Sequence, residues 1–316
     1  MCSGIQGSRS AVCPQEERGT MGREIIDYIT QFETTQVSPI WGGAQVFHFL
    51  CLGHLNMARA LGFELENVSE HLTIVREGQM QTEEELDALI HRNEFDYTSF
   101  EQETEYLRQM KAEHKEGLCG GGCFGPLTVV SGILGAENML RLLAGNPKLV
   151  ERFTAYAAGF MEDLARRETE EGGQFFWIAE PLASLLSPKN SWRFSGQYIQ
   201  KIYQAAEVPG LLHVCGRTLK HTPYLVRTGA QLLSIDSCTD IGECIRMVDE
   251  DVVIMGNVNP STLRFGTKEE VEEEVGEVLG KCRGFRNFVL STGCSVMEGT
   301  PDENMQVMFD MAGEEN

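Results

Sequence analysis

The stretches VPGLLHV (208–214), AQLLSID (230–236), DVVIMGN (251–257) and NFVLSTG (287–293) decide the fold of this chain, together with GQFFWIAE (173–180). Each is a short apolar run bounded by turn residues, which is the pattern of a strand buried on both faces. Helix start signals lie between the runs, and the clearest is the capping box that Thr267 forms with Glu270. Strands of this kind that alternate with helices predict a parallel sheet covered by helices on both faces.

The first half of the chain offers three further runs of the same kind. They are 37–42 (VSPIWG), 71–76 (HLTIVR) and 118–124 (LCGGGCF). Eight strands that alternate with helices predict an α/β fold, a (β/α)8 TIM barrel built from a single domain with a shortened N-terminal part. An open doubly wound sheet is the alternative. No G-x-G-x-x-G follows a strand and precedes a helix, because the glycines of 120–125 begin inside the predicted strand 118–124, so the sequence does not support the dinucleotide-binding version of that sheet.

The N-terminal end differs in character from the rest. Residues 1–20 are rich in Ser, Gly, Gln and charge and show no apolar period, which predicts a disordered tail before a barrel domain over 21–316. From Met21 onwards the residues Ile25, Ile26, Ile29 and Phe32 recur at helical spacing and predict a helix.

Charge and composition exclude several classes of protein. The chain of 316 residues carries 47 acidic against 26 basic residues, a net charge of -21, which repels phosphate backbones and anionic lipid. We therefore expect neither nucleic acid nor a membrane surface as a partner. No apolar run approaches the ~18–20 residues that cross a bilayer. The first twenty residues contain no apolar signal segment, so the ten cysteines indicate a cytoplasmic protein with reduced thiols.

Polar, ligand-capable residues end five successive strands of the predicted sheet. They are Glu180, His213 with Cys215, Asp236, Asn257 and Cys294. Because the carboxyl ends of parallel strands meet at one face of a barrel, where barrel enzymes place their active sites, we expect these side chains to gather there.

The most specific feature among them is the set His213-x-Cys215 with Cys294. One imidazole and two thiolates suit zinc, and three protein ligands leave the open coordination position of a catalytic site. The alternative is that Cys215 and Cys294 are buried apolar residues and His213 is a core histidine. That simpler interpretation applies to the other cysteines of the barrel region, which are Cys51, Cys119, Cys123, Cys238, Cys244 and Cys282.

An ordered series of motifs resembles the uroporphyrinogen decarboxylase superfamily. The motifs are FGPLTVVSGILG, IAEPLASLLSPKNSWRF, LLHVCGRT, SIDSCTDI, GNVNPSTLRFGTKEEV and LSTGCSVMEGTPDENM, over roughly residues 120–310. The similarity is greatest to the cobalamin-dependent methyltransferase branch, of which methylcobalamin:coenzyme M methyltransferase is typical. The resemblance implies a TIM barrel with Zn²⁺ held by His213, Cys215 and Cys294.

The resemblance also implies a reaction and a partner. The expected activity is methyl transfer between a cobalamin, carried by a separate corrinoid protein, and a small methyl donor or acceptor such as a thiol or a methoxy compound. Glu180, Asp236 and Asn257 are the candidate catalytic residues. The two carboxylates could orient ligands, complete the zinc shell or move a proton, or merely cap loops, and Asn257 could fix the loop GNVNP.

Two alternatives remain open at this point. A uroporphyrinogen decarboxylase would need no metal, but the segment PIWGGAQVFHFLCLG has no arginine before Arg59, where true decarboxylases carry an arginine-rich RQAGRY-type segment for their acidic substrate. A non-enzymatic zinc protein is the second alternative, and the open three-ligand site argues against it.

Overall fold

The computed structural model describes residues 29–38, 43–69, 72–76, 79–92, 94–113 and 118–314. The proposed tail, residues 1–20, lies outside these ranges. The strands are β1 (Ile29–Ser38), β2 (Gly43–Leu52), β3 (Leu65–Ser69), β4 (Leu72–Val75), β5 (Leu118–Phe124), β6 (Phe176–Ala179), β7 (Gly210–Val214), β8 (Leu232–Ile235), β9 (Val253–Val258) and β10 (Phe288–Thr292).

Helices follow most of the strands. They are α1 (His54–Ala60), α2 (Glu83–Arg92), α3 (Thr98–Glu113), α4 (Pro126–Leu134), α5 (Ala136–Gly145), α6 (Pro147–Glu170), α7 (Pro188–Ser191), α8 (Gln197–Ala206), α9 (Thr222–Arg227), α10 (Ile241–Ile245), α11 (Pro260–Phe265), α12 (Lys268–Cys282) and α13 (Asp302–Glu314). A π-helical turn, Trp192–Gly196, joins α7 to α8.

The strands form a closed barrel in the order β1-β10-β9-β8-β7-β6-β5-β2. From β2 and β5 round to β10 every neighbouring pair is parallel. The predicted TIM-type α/β barrel is therefore confirmed. The five apolar runs of the second half, and the run 118–124, form strands at the predicted places.

The N-terminal part departs from the predicted alternation. β1 is antiparallel to both β2 and β10, so a hairpin replaces one strand–helix unit. The prediction of a helix that includes Ile29 and Phe32 is wrong, because both residues lie in β1; residues 21–28 lie outside the described ranges. Apolar residues in a short window fit a strand as well as a helix, and pairing with β2 and β10 decides between them.

The run 71–76 is the other correction. Residues 72–75 do form a strand, β4, but it pairs with β3 in a separate two-stranded sheet and does not enter the barrel. The barrel position is taken by β2, an apolar run that the strand count leaves out. Of the run 37–42, the part up to Ser38 belongs to β1, and 39–42 lie outside the described residues.

Local signals account for the helix ends. Thr267 accepts a hydrogen bond from the backbone N–H of Glu270, whose carboxylate accepts in return from the N–H of Thr267, as the capping box predicts. Asn146 accepts from the N–H of Leu149 and Pro147 follows it, which begins the long helix α6.

The core has two parts. The larger lies between the strands and the surrounding helices and takes one face of the strands β5 to β10, for example Phe176 and Ile178 of β6. The smaller fills the barrel interior and comes from the other face, and it consists of Phe175, Leu211, Leu232, Val253, Met255 and Val289. In the described ranges no single helix is long and apolar enough to cross a membrane; the pair α4 and α5, bent by 105°, meets the length and composition criterion only when taken together.

Candidate metal centre

The two-residue period of the strands selects which side chains enter the barrel. In β7, Leu211 packs inside while Leu212 and Val214 face the helices, so His213 falls on the interior side. His213 pairs with Ala179 of β6 and with Ser234 of β8. On this face of β7 and β8 the residues near the amino-terminal ends, Leu211 and Leu232, are apolar, whereas His213 and Ser234 near the carboxyl ends are polar.

His213, Cys215 and Cys294 come together at the carboxyl ends of β7 and β10. Their ligand atoms all lie within 4.8 Å of one another, with His213 buried and both cysteines half-buried. The Nε2 of His213 is 3.2 Å from the Sγ of Cys215. Zn–N and Zn–S bonds in a tetrahedral site separate such atoms by roughly 3.5 Å, so the donors fit a zinc ion with small adjustments.

A glycine brings the strand ends close enough for this cluster. A Cβ on Gly293 would stand 2.3 Å from the backbone N of Ser237, which no side chain could tolerate. Only glycine therefore lets the end of β10 approach the loop after β8 and places the following residue, Cys294, beside β7. The hydroxyl of Thr292 donates to the carbonyl oxygen of Cys294 at 2.7 Å and holds the turn.

The two thiols share one negative charge. Hydrogen bonds from Cys215 and His213 lower the pKa of Cys294. The pKa of Cys215 is raised, because its S–H donates to Cys294 and because it is removed from water beside that charge. The cluster thus holds a thiolate, the form in which cysteine binds a metal.

Two neighbours orient the His213 ring. Its Nδ1 lies 3.0 Å from the Oγ of Ser234, so the ring is hydrogen-bonded on the side away from the thiols. Trp177 of β6 lies nearly parallel to the imidazole, with an angle of 10° between the rings and 6.3 Å between their centroids. Both contacts restrain the ring, as partners behind a metal-binding histidine do.

Asp236 lies next to the cluster, and its carboxylate is hydrogen-bonded to backbone N–H groups. Its two carboxylate oxygens accept from the N–H groups of Gly216 and Cys238, each at 2.8 Å. Burial opposes ionisation, but these hydrogen bonds hold the pKa of Asp236 below its ordinary value. Asp236 therefore ties the loop after Cys215 to the end of β8.

Asn257 connects the next pair of strand ends. Its side-chain amide donates to the carbonyl oxygens of Asp236, at 3.1 Å, and Thr239, at 2.7 Å. Asn257 also lines an open groove of about 440 Å³ whose wall is formed by glutamates of α12, and none of the three cluster residues lines that groove. The geometry gives Asn257 a role in loop structure.

Glu180 is fully buried, and its carboxylate is bound at α4 although its backbone N–H donates to the carbonyl oxygen of His213 at 2.8 Å. Its carboxylate accepts from the N–H groups of Leu127 and Thr128 at 3.0 Å, from the hydroxyl of Ser195 at 2.8 Å, and from the hydroxyl of Thr128. Burial raises the pKa of Glu180, and these hydrogen bonds oppose the shift. The contacts place the carboxylate at the N-terminus of α4, where it caps the helix.

Sequence reasoning therefore identifies the cluster but not the residues that support it. Ser234 and Trp177 escape notice because a serine and a tryptophan inside apolar runs look like ordinary strand residues. A signal for Ser234 exists: it follows the interior residue Leu232 by two positions, so it lies on the same interior face of β8. Only the register with β7 shows that Ser234 meets His213.

Comparison with known protein families and with curated proteins identifies relatives of this chain. Residues 45–315 match the family model described as uroporphyrinogen decarboxylase (URO-D). A uroporphyrinogen decarboxylase of Prochlorococcus marinus (strain MIT 9515) is 30% identical over 169 residues, 52% of this chain and 48% of that protein. The protein of strain AS9601 is 27% identical over 179 residues, 55% of this chain and 51% of that protein. These alignments span about half the length of either relative.

Solved structures share the fold. A methyltransferase from Methanosarcina mazei superposes with a TM-score of 0.67 at 21% identity, covering 82% of this chain and 77% of that one. A B12-independent methionine synthase from Shewanella sp. W3-18-1, in complex with selenomethionine, gives a TM-score of 0.52 at 10% identity, covering 92% and 79%. At these identities the likeness concerns the barrel architecture.

Proposed function

The chain belongs to the uroporphyrinogen decarboxylase family, and from that premise we propose that it is a zinc-dependent methyltransferase. Its reaction moves a methyl group between a cobalamin, presented by a partner corrinoid protein, and a small substrate such as a thiol or a methoxy or otherwise methylated donor. The enzyme is cytoplasmic and takes neither nucleic acid nor membrane as a partner, in keeping with its net charge of -21.

One observation carries the proposal: an imidazole and two thiols converge within 4.8 Å at the carboxyl end of the barrel. That end is where barrel enzymes place their chemistry. Three soft donors on one side leave room for a fourth ligand from the substrate, as catalytic zinc sites require. The half-buried cysteines keep the cluster open to the barrel mouth.

When bound, zinc supplies Lewis acidity that lowers the pKa of a substrate thiol or polarises a methoxy oxygen. The protein's own residues hold the donors in place. Ser234 and Trp177 restrain the ring of His213. Asp236 fixes the loop after Cys215. Below the cluster, the packed side chains of the barrel interior close the site toward the amino-terminal ends of the strands.

In the thiol direction the substrate would release its sulfhydryl proton to solvent, and methylcobalamin would supply the methyl group and leave as Co(I)alamin. In the opposite direction Co(I)alamin would accept the methyl group from the donor, and the leaving oxygen would take up a proton. We propose that Asp236 and Asn257 hold the loops beside the cluster, because each is hydrogen-bonded to backbone groups of those loops, and that Glu180 holds the end of β6 against the first turn of α4.

The second candidate is a uroporphyrinogen decarboxylase, which the names of the aligned relatives favour. That reaction has no use for a cluster of one histidine and two cysteines. The strong negative charge of the chain also suits an octa-carboxylate substrate poorly. The methyltransferase assignment accounts for the cluster and the charge together.

The experiment that distinguishes the methyltransferase from the decarboxylase uses purified protein with measured zinc content. We expect about one zinc per chain, and slow demethylation of free methylcobalamin with a small thiol, or methylation of Co(I)alamin from a methylated donor, followed by corrin absorbance. Dialysis against a chelator should abolish turnover, and added Zn²⁺ should restore it. Decarboxylation of uroporphyrinogen by metal-free protein, with no corrin chemistry across a panel of thiols and donors, would favour the second candidate.

A further inference from the structure

The structure points to Ser234 as a positioning residue that presents His213 to the metal, and we propose that its hydroxyl is what keeps the imidazole in the binding orientation. This inference rests on the proposed zinc site and adds to it a residue outside the ligand set. Ser234 lies directly opposite His213 in the pairing of β7 and β8. It is 5% exposed, which places its hydroxyl out of reach of bulk water.

The geometry turns one ring nitrogen of His213 toward the thiols and the other toward Ser234. Nε2 faces the Sγ of Cys215 at 3.2 Å, and Nδ1 faces the Oγ of Ser234 at 3.0 Å. A nitrogen that binds a metal gives its lone pair, so the proton of a neutral imidazole must then sit on the other nitrogen. With Nε2 turned toward the cluster, that proton lies on Nδ1 and needs an acceptor, which the hydroxyl of Ser234 supplies.

A hydroxyl suits this position because it donates as well as accepts. Without metal, Nε2–H can donate to the Sγ of Cys215, 3.2 Å away, and Ser234 then donates its own proton to Nδ1. With metal bound, the ring carries its proton on Nδ1 and Ser234 accepts. One side chain thus satisfies the buried ring in both states, and no rotation of the imidazole is needed between them. Alanine satisfies neither state and leaves a buried N–H without a partner.

The test compares two substitutions of equal volume, Ser234→Thr and Ser234→Val, which differ in the hydroxyl alone. Zinc affinity is measured by competition between each purified protein and a chromogenic chelator. We expect Ser234→Val to bind Zn²⁺ about 10–100-fold more weakly than wild type. The threonine variant should stay within about threefold of wild type, since it retains the acceptor. Ser131→Ala is the matched control, because Ser131 is also 5% exposed but lies on α4, and its affinity should be unchanged.

A second readout does not depend on affinity. In the zinc-loaded protein labelled with ¹⁵N-histidine, the Nδ1–H of His213 should be protected from exchange in wild type and in the threonine variant, and should exchange rapidly in the valine variant. Equal zinc affinity of the valine and threonine variants, or an unprotected Nδ1–H in wild type, overturns the role of Ser234 while leaving the zinc site standing. Absence of zinc binding by wild type removes the zinc site and this inference together.

Discussion

The two ends of the barrel interior are built from the same strands and have opposite characters. Near the amino-terminal ends, Phe175, Leu211 and Leu232 pack into an apolar cluster that is almost fully buried. Two to four residues further along, the same strand faces carry His213, Ser234 and the loops with Cys215 and Asp236. The amino-terminal end of the interior excludes water, whereas the carboxyl-terminal end presents polar and metal-ligating side chains to solvent.

The comparison shows how a barrel separates stability from chemistry. A side chain in the apolar layer touches many neighbours, so its removal costs packing and leaves a cavity. A ligand at the rim has few packing contacts and contributes through the cluster it completes. The two layers should therefore respond independently to substitution, and one substitution in each layer tests that independence.

The largest expected effect is on the metal. Cys294→Ala should lower zinc content from about one per chain to near zero, because two remaining donors bind zinc far more weakly than three. Metal-free wild type and metal-free Cys294→Ala should have the same unfolding temperature, since Cys294 is half-buried in a loop at the rim. Zinc is measured by elemental analysis and folding by circular dichroism. Full zinc occupancy in a protein lacking both Cys215 and Cys294 would remove these residues from the site.

The reciprocal change is made in the apolar layer. Leu211→Ala should lower the free energy of unfolding by about 2–5 kcal/mol, through lost burial and the cavity left behind. Zinc content of the folded protein should stay at the wild-type value. Urea unfolding gives the stability and elemental analysis gives the metal. A loss of zinc without a loss of stability would show that the two layers are coupled.

Substitution of Glu180 tests whether every polar residue at a strand end contributes to zinc binding. Glu180→Gln replaces one acceptor oxygen by an NH₂ group facing donors of Leu127, Thr128 or Ser195. The free energy of unfolding should fall by about 1–3 kcal/mol, because buried donors lose their acceptor. Zinc content should not change. The exposed Glu170→Gln on α6 is the control, and it should leave both quantities unaltered.

The smallest effect is expected from removal of residues 1–20. Their composition offers no apolar face to bury, so deletion up to Met21 should leave zinc content unchanged. The melting temperature should move by less than about 2 °C, which corresponds to less than about 1 kcal/mol in a chain of a few hundred residues. A larger drop would show that this segment packs against the barrel.

Sequence patterns predict the second half of the fold well, because each strand there is a continuous apolar run between clear turn and cap signals. The strands of the first half are harder to predict from the sequence. Residues Ile29–Ser38 have apolar spacing that fits a helix or a strand, and only pairing with β2 and β10 selects the strand. The run 72–75 forms a strand as expected, yet its pairing with β3 takes it out of the barrel. The local sequence decides whether a segment forms a strand, whereas residues distant in sequence decide which strand it pairs with.

The candidate site divides in the same way. The sequence by itself determined that His213, Cys215 and Cys294 stand at strand ends, because apolar runs end where these residues begin and parallel strands end at a common face. It left the two carboxylates undecided between chemistry and capping, and the contacts of Glu180 with α4 show capping. The tertiary structure decided the neighbours: Ser234 behind His213, Trp177 over its ring, and Gly293 beside the loop after β8. Such contacts depend on the register between strands that are distant in sequence, and register is fixed by the packing of the whole barrel.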